Sequence, residues 1–388
     1  MKSAIRNAFV FLGVLLPVSC SEKPAQESGA EPQASNEINA EEVVILTWEE
    51  YFNPEVIEKF EAETGVEVVF RYFDNLDEMQ NLIESERDGF DLIVADGGSV
   101  ADLIDLRLLQ PVQPEKIPNL KNLDDRYLDL AFDPNNHYSI PYMWGSTLIT
   151  YRSDLIPEPA HSWKSLWDEK YAGKILMVDD QFDCYAVALL SLGYDLNSQN
   201  PQELKEATDH LVRQVNELGA EFTDIITIRE KLFSGECWIS VSYSSDAPVL
   251  AEENEAISYF IPEEGAPLWV DSFVIAGESP NPENAHQFLN FMADAEIAAE
   301  NSNYLWCATT NREARPYLSE EVLAEDTLYP SEETMARCQF DKQQSAQRNM
   351  IVNRGMKAIY DSLQKRARNA PETLVKSSDA SEDEGGDQ

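Results

Sequence analysis

Three apolar runs alternate with two helix-like segments early in the chain, and this order restricts the fold more than any other feature. The first and third runs are typical of buried strands, and the second alternates between apolar and polar residues, as a strand with one buried face does. The first intervening segment has apolar residues at helical spacing and lies between Asn53-Pro54 and Gly65, which favour a helix start and a helix end. This order predicts a parallel α/β sheet, with strands at 43–46, 66–72 and 91–95.

The stretch from Thr47 to Tyr51 follows the first predicted strand and combines aromatic and acidic residues. Ligands of open α/β sheets bind at the carboxyl ends of the strands, where this stretch is expected to lie. An acid beside an aromatic face suits an organic cation, because the acid supplies charge and the ring supplies cation–π attraction. Taken alone, the stretch is better explained as a solvated loop with Trp48 packed into the core.

Similar combinations recur beside other predicted strands, and their number changes the interpretation. A second strand-end loop, Asp96-Gly97-Gly98-Ser99, precedes a helix predicted over 100–109 and is expected at the same edge as Trp48. Four clusters in similar settings indicate one cleft with carboxylates, aromatic walls and little positive charge. The clusters are Trp48/Glu50/Tyr51, Asp180/Asp183, Tyr243/Asp246 and Trp269/Asp271.

The charge of the whole chain argues against polyanionic partners. The 388 residues include 71 acids and 29 bases, a formal net charge of -42. Such a field repels nucleic acid and anionic lipid, so neither is expected as a partner. The field attracts small cations, but a saline habitat explains the same composition equally well.

Both ends of the chain are predicted to lie outside the fold. Residues 1–19 have basic residues followed by a short apolar run, which is typical of a secretory signal peptide. Cys20 follows as a candidate lipidated residue, with cleavage without lipidation as the alternative. Residues 20–41 are predicted to form a disordered tether and 371–388 a disordered acidic tail. Roughly 330 residues remain, enough for two domains.

The remaining residue patterns speak against an enzyme or a metal site. The four histidines are scattered, and the sequence contains neither a nucleophile elbow nor a P-loop. No cofactor is therefore expected. The four cysteines after Cys20 have no zinc-site spacing, and both one disulfide and buried free thiols remain open. These cysteines are Cys184, Cys237, Cys307 and Cys338.

Several motifs together resemble the periplasmic polyamine-binding proteins of ABC transporters, the spermidine/putrescine group. The resemblance extends from Val43 to Leu363. The motifs are Trp48-x-Glu50-Tyr51, Phe60-Glu61-x-Glu63-Thr64-Gly65, Asp133-Pro134-Asn135-Asn136, Ile140-Pro141-Tyr142-Met143-Trp144-Gly145 and Trp269-x-Asp271-Ser272.

The resemblance implies a two-lobed periplasmic binding protein fold of type II, with the ligand between lobes joined by two crossover strands. The lobes would be 42–145 plus 271–325 and 146–270 plus 326–365. They would close on the ligand by hinge motion, and a membrane permease would recognise the closed form of this monomer. As an alternative, the closed form is presented to a membrane signalling receptor. A third option, the same fold adapted to iron or thiamine, ranks last.

The resemblance also implies a set of ligand-binding residues, carried over one position at a time. Asp180 and Asp183 match acids of the spermidine pattern, whereas Asp246 matches an acid of the putrescine pattern. Ser99 and Cys307 stand where the family has Tyr, so the preferred polyamine is left open. The full set is Trp48, Glu50, Tyr51, Ser99, Asp180, Asp183, Tyr243 (Trp in the family), Asp246, Trp269, Asp271 and Gln344.

Overall fold

The computed structural model describes residues 41–73, 76–342 and 344–369. The predicted signal peptide, nearly all of the predicted tether with Cys20, and the acidic tail lie outside these residues. The described strands are β1 Glu42–Thr47, β2 Glu67–Tyr72, β3 Leu92–Asp96, β4 Leu109–Gln110, β5 Ser139–Arg152, β6 Ile175–Val178, β7 Glu221–Thr223, β8 Ile239–Tyr243, β9 Ile257–Phe260, β10 Pro267–Ala276, β11 Ala308–Thr309 and β12 Gln339–Phe340.

The helices alternate with these strands, so the predicted α/β class is confirmed. They are α1 Pro54–Thr64, α2 Leu76–Ser85, α3 Gly97–Asp105, α4 Gln181–Leu192, α5 Pro201–Arg213 with a π-helical end at Gln214–Leu218, α6 Ile225–Ser234, α7 Ala247–Glu253, α8 Pro282–Met292, α9 Ala295–Leu305, α10 Glu320–Ala324, α11 Glu332–Met335 and α12 Ala346–Asn369.

Local capping chemistry sets the helix ends, as two cases illustrate. The Asn53 side chain accepts a hydrogen bond from the Glu55 amide at 3.0 Å, and Gly65 ends α1 with φ 73°. The helix predicted over 100–109 instead spans Gly97–Asp105. The prediction was wrong by three residues at its start because the Asp96 carboxylate accepts from the amides of Gly98 and Ser99 and so begins the helix earlier.

The strands β2, β1 and β3 are parallel, and β10 joins β3 in the antiparallel direction. Successive residues of these strands alternate between two apolar cores, because side chains along a strand point to opposite faces. Val94 and Phe273 pack in one core with α1 and α8, while Ile93 and Val274 pack in the other with α2 and α3. Apolar layers on both faces thus fix the register of these strands.

The long strand β5 connects this region to the second group of strands. β5 pairs with β10 through Ser139–Ser146 and with β8 and β9 through Thr147–Arg152. Its residues 139–150 are all buried. In the second group β6 is parallel to both β7 and β8, and helices α4, α5 and α12 pack over it. The predicted lobe boundaries stay a prediction.

The four cysteines Cys184, Cys237, Cys307 and Cys338 are buried free thiols. Burial raises the pKa of the Cys184 and Cys307 thiols well above the ordinary value, so these groups stay protonated at neutral pH. Among the described residues, no helix combines the length and apolar character needed to cross a membrane.

The Asp133-Pro134-Asn135-Asn136 motif anchors the beginning of β5. Asp133 is only 2% exposed, and its carboxylate accepts from the amides of His137, Tyr138 and Ser139 and from the Ser139 hydroxyl. Four donors thus satisfy one buried charge and hold the chain where it enters the crossover strand.

We expect Asp133→Ala to lower the free energy of unfolding by about 3 kcal/mol, because the substitution leaves buried amide donors without an acceptor. Urea unfolding followed by circular dichroism measures the difference. Asp125→Ala serves as the control, since Asp125 is exposed and its carboxylate lies 3.4 Å from Arg312 in a surface ion pair. Equal losses in both variants would contradict the anchoring role of Asp133.

Candidate functional site

The strand directions bring several predicted site residues to one edge of the sheet. β1 and β3 are parallel, so Trp48 and Asp96 emerge at the same edge. β10 runs the opposite way, so its early residues Trp269 and Asp271 lie there too, and Asp271 pairs directly with Asp96. A bulge in the pairing of β10 with β5 falls between Asp271 and Ser272. Bulges of this kind re-aim side chains beside binding sites.

One wall is built around Tyr51 and Asp271. The Tyr51 hydroxyl donates to Asp271 Oδ2 at 2.5 Å, and the ring of Trp48 lies 5.6 Å from that of Tyr51, edge to face. Tyr142, from the Ile140–Gly145 motif of β5, donates through its hydroxyl to the Tyr51 carbonyl at 3.0 Å. The motif therefore holds the loop after β1 in place and orients Tyr51 toward Asp271.

The other wall consists of acids at the ends of β6 and β8. Asp180 caps α4 by accepting from the Asp183 amide at 2.8 Å. Asp183 accepts from the Thr147 hydroxyl at 2.6 Å and from the Tyr243 hydroxyl at 3.0 Å. These neutral donors fix the carboxylate in one orientation without cancelling its charge.

An aromatic contact connects the two walls. The rings of Tyr243 and Trp269 lie 6.3 Å apart and nearly perpendicular, at 85°. Gly145 makes room for this arrangement, because a Cβ at its position would come 2.7 Å from Trp269 Cε2 and 2.6 Å from Ser244 Oγ. The glycine of the Ile140–Gly145 motif is thus required by the close approach of an aromatic ring.

Partial burial of the acids at the cleft raises their pKa values. Burial raises the pKa of Asp271 to about 7, with the charge of Asp96 adding to the rise and the Tyr51 hydrogen bond opposing it. Burial likewise raises the pKa of Asp246 to about 6, and the neighbouring hydroxyl of Ser245 opposes this rise. The pKa of Asp180 is raised by burial and by the charge of Asp183.

Among the described residues, no basic side chain forms an ion pair with these acids, although the charge of Arg229 opposes the rise in the pKa of Asp246. Within the described part of the chain, none of the ion pairs involves Asp180, Asp183, Asp246 or Asp271. The described part of the chain also includes no group of three or more His, Cys, Asp or Glu residues arranged to hold a metal ion. Desolvated carboxylates between aromatic rings form a site for an organic cation with separated charges.

Three predicted site residues lie away from the contacts just described. Glu50 is exposed and has φ 56°. The buried hydroxyl of Ser99 donates to Asp96 Oδ2 at 2.5 Å. The Gln344 amide oxygen accepts from Gln199 at 2.7 Å, and its nitrogen donates to Asp341. The role of these three residues in binding stays a prediction.

Two acids at the cleft are absent from the predicted set, Asp96 and Asp341. The charge of Asp96 adds to the effect of burial in raising the pKa of both Asp271 and Asp341. Asp96 had a readable signal, because it is an acid directly after a buried strand, as are the acids after β6. Asp341 directly follows the two-residue strand β12, whose Phe340 pairs with Leu268 of β10, and no periodicity or motif marks so short a strand.

The chain matches the family described as bacterial extracellular solute-binding protein over residues 55–330. The match covers more than half of the sequence, and the protein belongs to this family. The members of this family are binding proteins, and the resemblance drawn from the motifs is confirmed at this level.

The names of individual relatives are more specific than the description of the family. The spermidine/putrescine-binding periplasmic protein of Escherichia coli is 32% identical over 293 residues, which are 75% of this chain and 84% of that protein. The putrescine/cadaverine-binding protein of Pseudomonas aeruginosa is 30% identical over 329 residues, which are 81% of this chain and 92% of that protein.

Solved structures of similar proteins have the same fold. The spermidine/putrescine ABC transporter substrate-binding protein PotD of Streptococcus pneumoniae aligns with a TM-score of 0.74 at 29% identity, over 83% of this chain and 99% of that one. The TpPotD lipoprotein of Treponema pallidum aligns with a TM-score of 0.72 at 26% identity, over 82% and 99%. The predicted type II binding-protein fold is confirmed.

The raised pKa of Asp271 predicts a pH-dependent stability. Its pKa is about 7 in the folded protein and 3.8 in an exposed reference, so the folded state holds a proton that the unfolded chain loses between these values. Ionisation of Asp271 therefore costs stability progressively as the pH rises from about 4 to about 7, and the full cost is present above pH 7.

We expect Asp271→Asn to raise the free energy of unfolding of the ligand-free protein at pH 8 by about 3 kcal/mol more than at pH 5. The amide keeps the shape of the side chain and still accepts from Tyr51, but it carries no charge. Urea unfolding at both pH values measures the difference. A pH-independent effect of the substitution would show that Asp271 ionises as freely as an exposed acid.

Proposed function

We propose that this protein is an extracytoplasmic solute-binding protein that captures a polyamine of the putrescine or spermidine type between its two lobes. A polyamine is a flexible hydrocarbon with ammonium groups at fixed intervals. Separated carboxylates match its charges, and aromatic rings match its methylene groups. The observation that carries the proposal is the set of partly to fully buried acids on both walls, none of which forms an ion pair with a basic side chain among the described residues.

The division of labour within the cleft follows from the contacts. Asp271, oriented by Tyr51, meets an ammonium on one wall, and Asp180 with Asp183 meets another on the opposite wall. The rings of Trp269 and Tyr243 lie between these acids and cover the methylene chain. A bound cation favours the ionised carboxylates, so ligand binding replaces the missing positive charge and stabilises the closed arrangement.

The proposal extends to delivery. The loaded, closed form would dock on an ABC-transporter permease, and a lipid on Cys20 would keep the protein at the outer face of the membrane. Support comes from the names of the relatives, which include binding proteins of ABC transporters and a lipoprotein.

Removing the lipid attachment site by Cys20→Ser should move the protein from the membrane fraction to the soluble fraction.

The proposal is tested by titration calorimetry of the purified protein with putrescine, cadaverine and spermidine. We expect binding of at least one of them in a 1:1 complex with a dissociation constant of about 1 μM or tighter, because several charged hydrogen bonds form in a desolvated site. The absence of binding heat with every amine, together with an unchanged melting temperature, would refute the proposal.

The position of the site is tested with matched substitutions that each remove one negative charge. We expect Asp271→Asn to weaken binding of the tightest amine about 30-fold or more, because it removes the acceptor of an ammonium in a desolvated site. Glu49 is exposed beside the same loop, and Glu49→Gln should change the affinity less than about twofold. Similar losses in both variants would indicate attraction by overall charge and not by this cleft.

A further inference from the structure

Asp96 occupies a position that makes it more than a helix cap. It is the last residue of β3 and lies directly opposite Asp271 in the antiparallel pairing with β10. Residues paired in this way point their side chains to the same face of the sheet, with Cβ atoms about 4.5–5.5 Å apart. Two carboxylates so placed repel each other, and a cation between them would relieve the repulsion.

Hydrogen bonds hold the Asp96 carboxylate in one orientation. Its Oδ1 accepts from the amides of Gly98 and Ser99 at 2.8 and 3.1 Å, and its Oδ2 accepts from the Ser99 hydroxyl at 2.5 Å. All three donors are neutral, and in the described part of the chain no lysine or arginine forms an ion pair with Asp96. Each carboxylate oxygen accepts about two hydrogen bonds, so Oδ2 retains a free acceptor position.

The field of Asp96 reaches acids on both walls of the cleft. Beyond the effect of burial, its charge contributes to the raised pKa of Asp271 on one wall and of Asp180 and Asp183 on the other. Asp96 is therefore close enough to both groups of acids for its charge to act on each of them. With Asp246 and Asp341, the described residues place six carboxylates at the cleft, more than the two positive charges of a diamine.

We propose that Asp96 is a cation-binding residue that selects amines with an internal third ammonium group. A secondary ammonium within a chain has two N–H donors, and the facing carboxylates of Asp96 and Asp271 supply one acceptor each. The terminal ammonium groups then meet the acids beyond this pair, Asp180 with Asp183 on one side. This inference rests on the proposed polyamine function and specifies the class of amine that the same cleft prefers.

The experiment compares two ligands of equal length in the full-length protein. Spermidine has an internal ammonium, and octamethylenediamine has a methylene group in its place. We expect the protein to bind spermidine at least about tenfold more tightly, and we expect Asp96→Asn to remove most of this preference. The substitution should weaken spermidine binding about tenfold and octamethylenediamine binding less than about threefold.

We expect Asp96→Asn to leave the fold intact, because Asn and Ser cap helices about as well as Asp. Asp96→Ser provides a second uncharged cap, and it should reproduce the loss of preference. Asp105→Asn is the control, since Asp105 is an exposed acid on the same helix, and it should leave both affinities within about twofold.

The possible failures are distinguishable. If the protein binds neither amine nor any other polyamine, the proposed function itself is wrong. If it binds both but Asp96→Asn weakens them equally, or if the protein shows no preference for spermidine, the role of Asp96 is wrong and the proposed function stands.

Discussion

Repulsion between partly buried carboxylates is the interaction that organises this molecule around its cleft. Strand pairing places Asp96 opposite Asp271, and helix capping places Asp180 beside Asp183. Each pair costs free energy in the absence of a cation, because like charges repel strongly where water is excluded. The fold supplies this energy from the apolar layers on both faces of its sheets, which fix the strands that carry the acids.

Two kinds of buried acid show the difference between structure and function. Asp91 is completely buried and accepts from the amides of Val44 and Asn281 and from the Ser279 hydroxyl. Its hydrogen bonds tie separate segments together, as those of Asp133 do. Asp271 is only partly buried and accepts from the Tyr51 hydroxyl, and its pKa is raised by burial. Acids with incomplete hydrogen bonding are those that have capacity left for a ligand.

The sequence alone predicts the parts of the fold that depend on neighbouring residues. Asn53, Pro54 and Gly65 define α1 because capping and turn preferences act over one or two residues. The aromatic and acidic residues beside the strand ends are readable for the same reason. The pairing of Asp96 with Asp271 joins residues far apart in the chain, and no local pattern encodes that register. The sequence places Asp96 at the right edge of the sheet, but its position opposite Asp271 follows only from the strand pairing.

The structure also explains why particular residues occupy their positions in the motifs, which the sequence alone does not. Gly145 is required by the ring of Trp269, and Tyr142 supports the loop that carries Tyr51. Cys307 is buried near Tyr51, Asp271 and Asp246. Burial is the main cause of the raised pKa of its thiol. A small thiol at this position, where the resembling family has an aromatic ring, changes the space beside Asp271 and bears on the size of the ligand.

The number of protons released when an amine binds tests most directly whether the acids of the empty cleft are partly neutral. Putrescine carries two positive charges at neutral pH, and Asp271, with a pKa of about 7, is partly protonated in the empty cleft. Calorimetry at pH 7 in two buffers of different ionisation enthalpy should detect release of about half a proton or more per ligand bound. Identical binding heats in both buffers would mean that the acids are already ionised, and the idea of carboxylates held partly neutral until a cation arrives would be wrong.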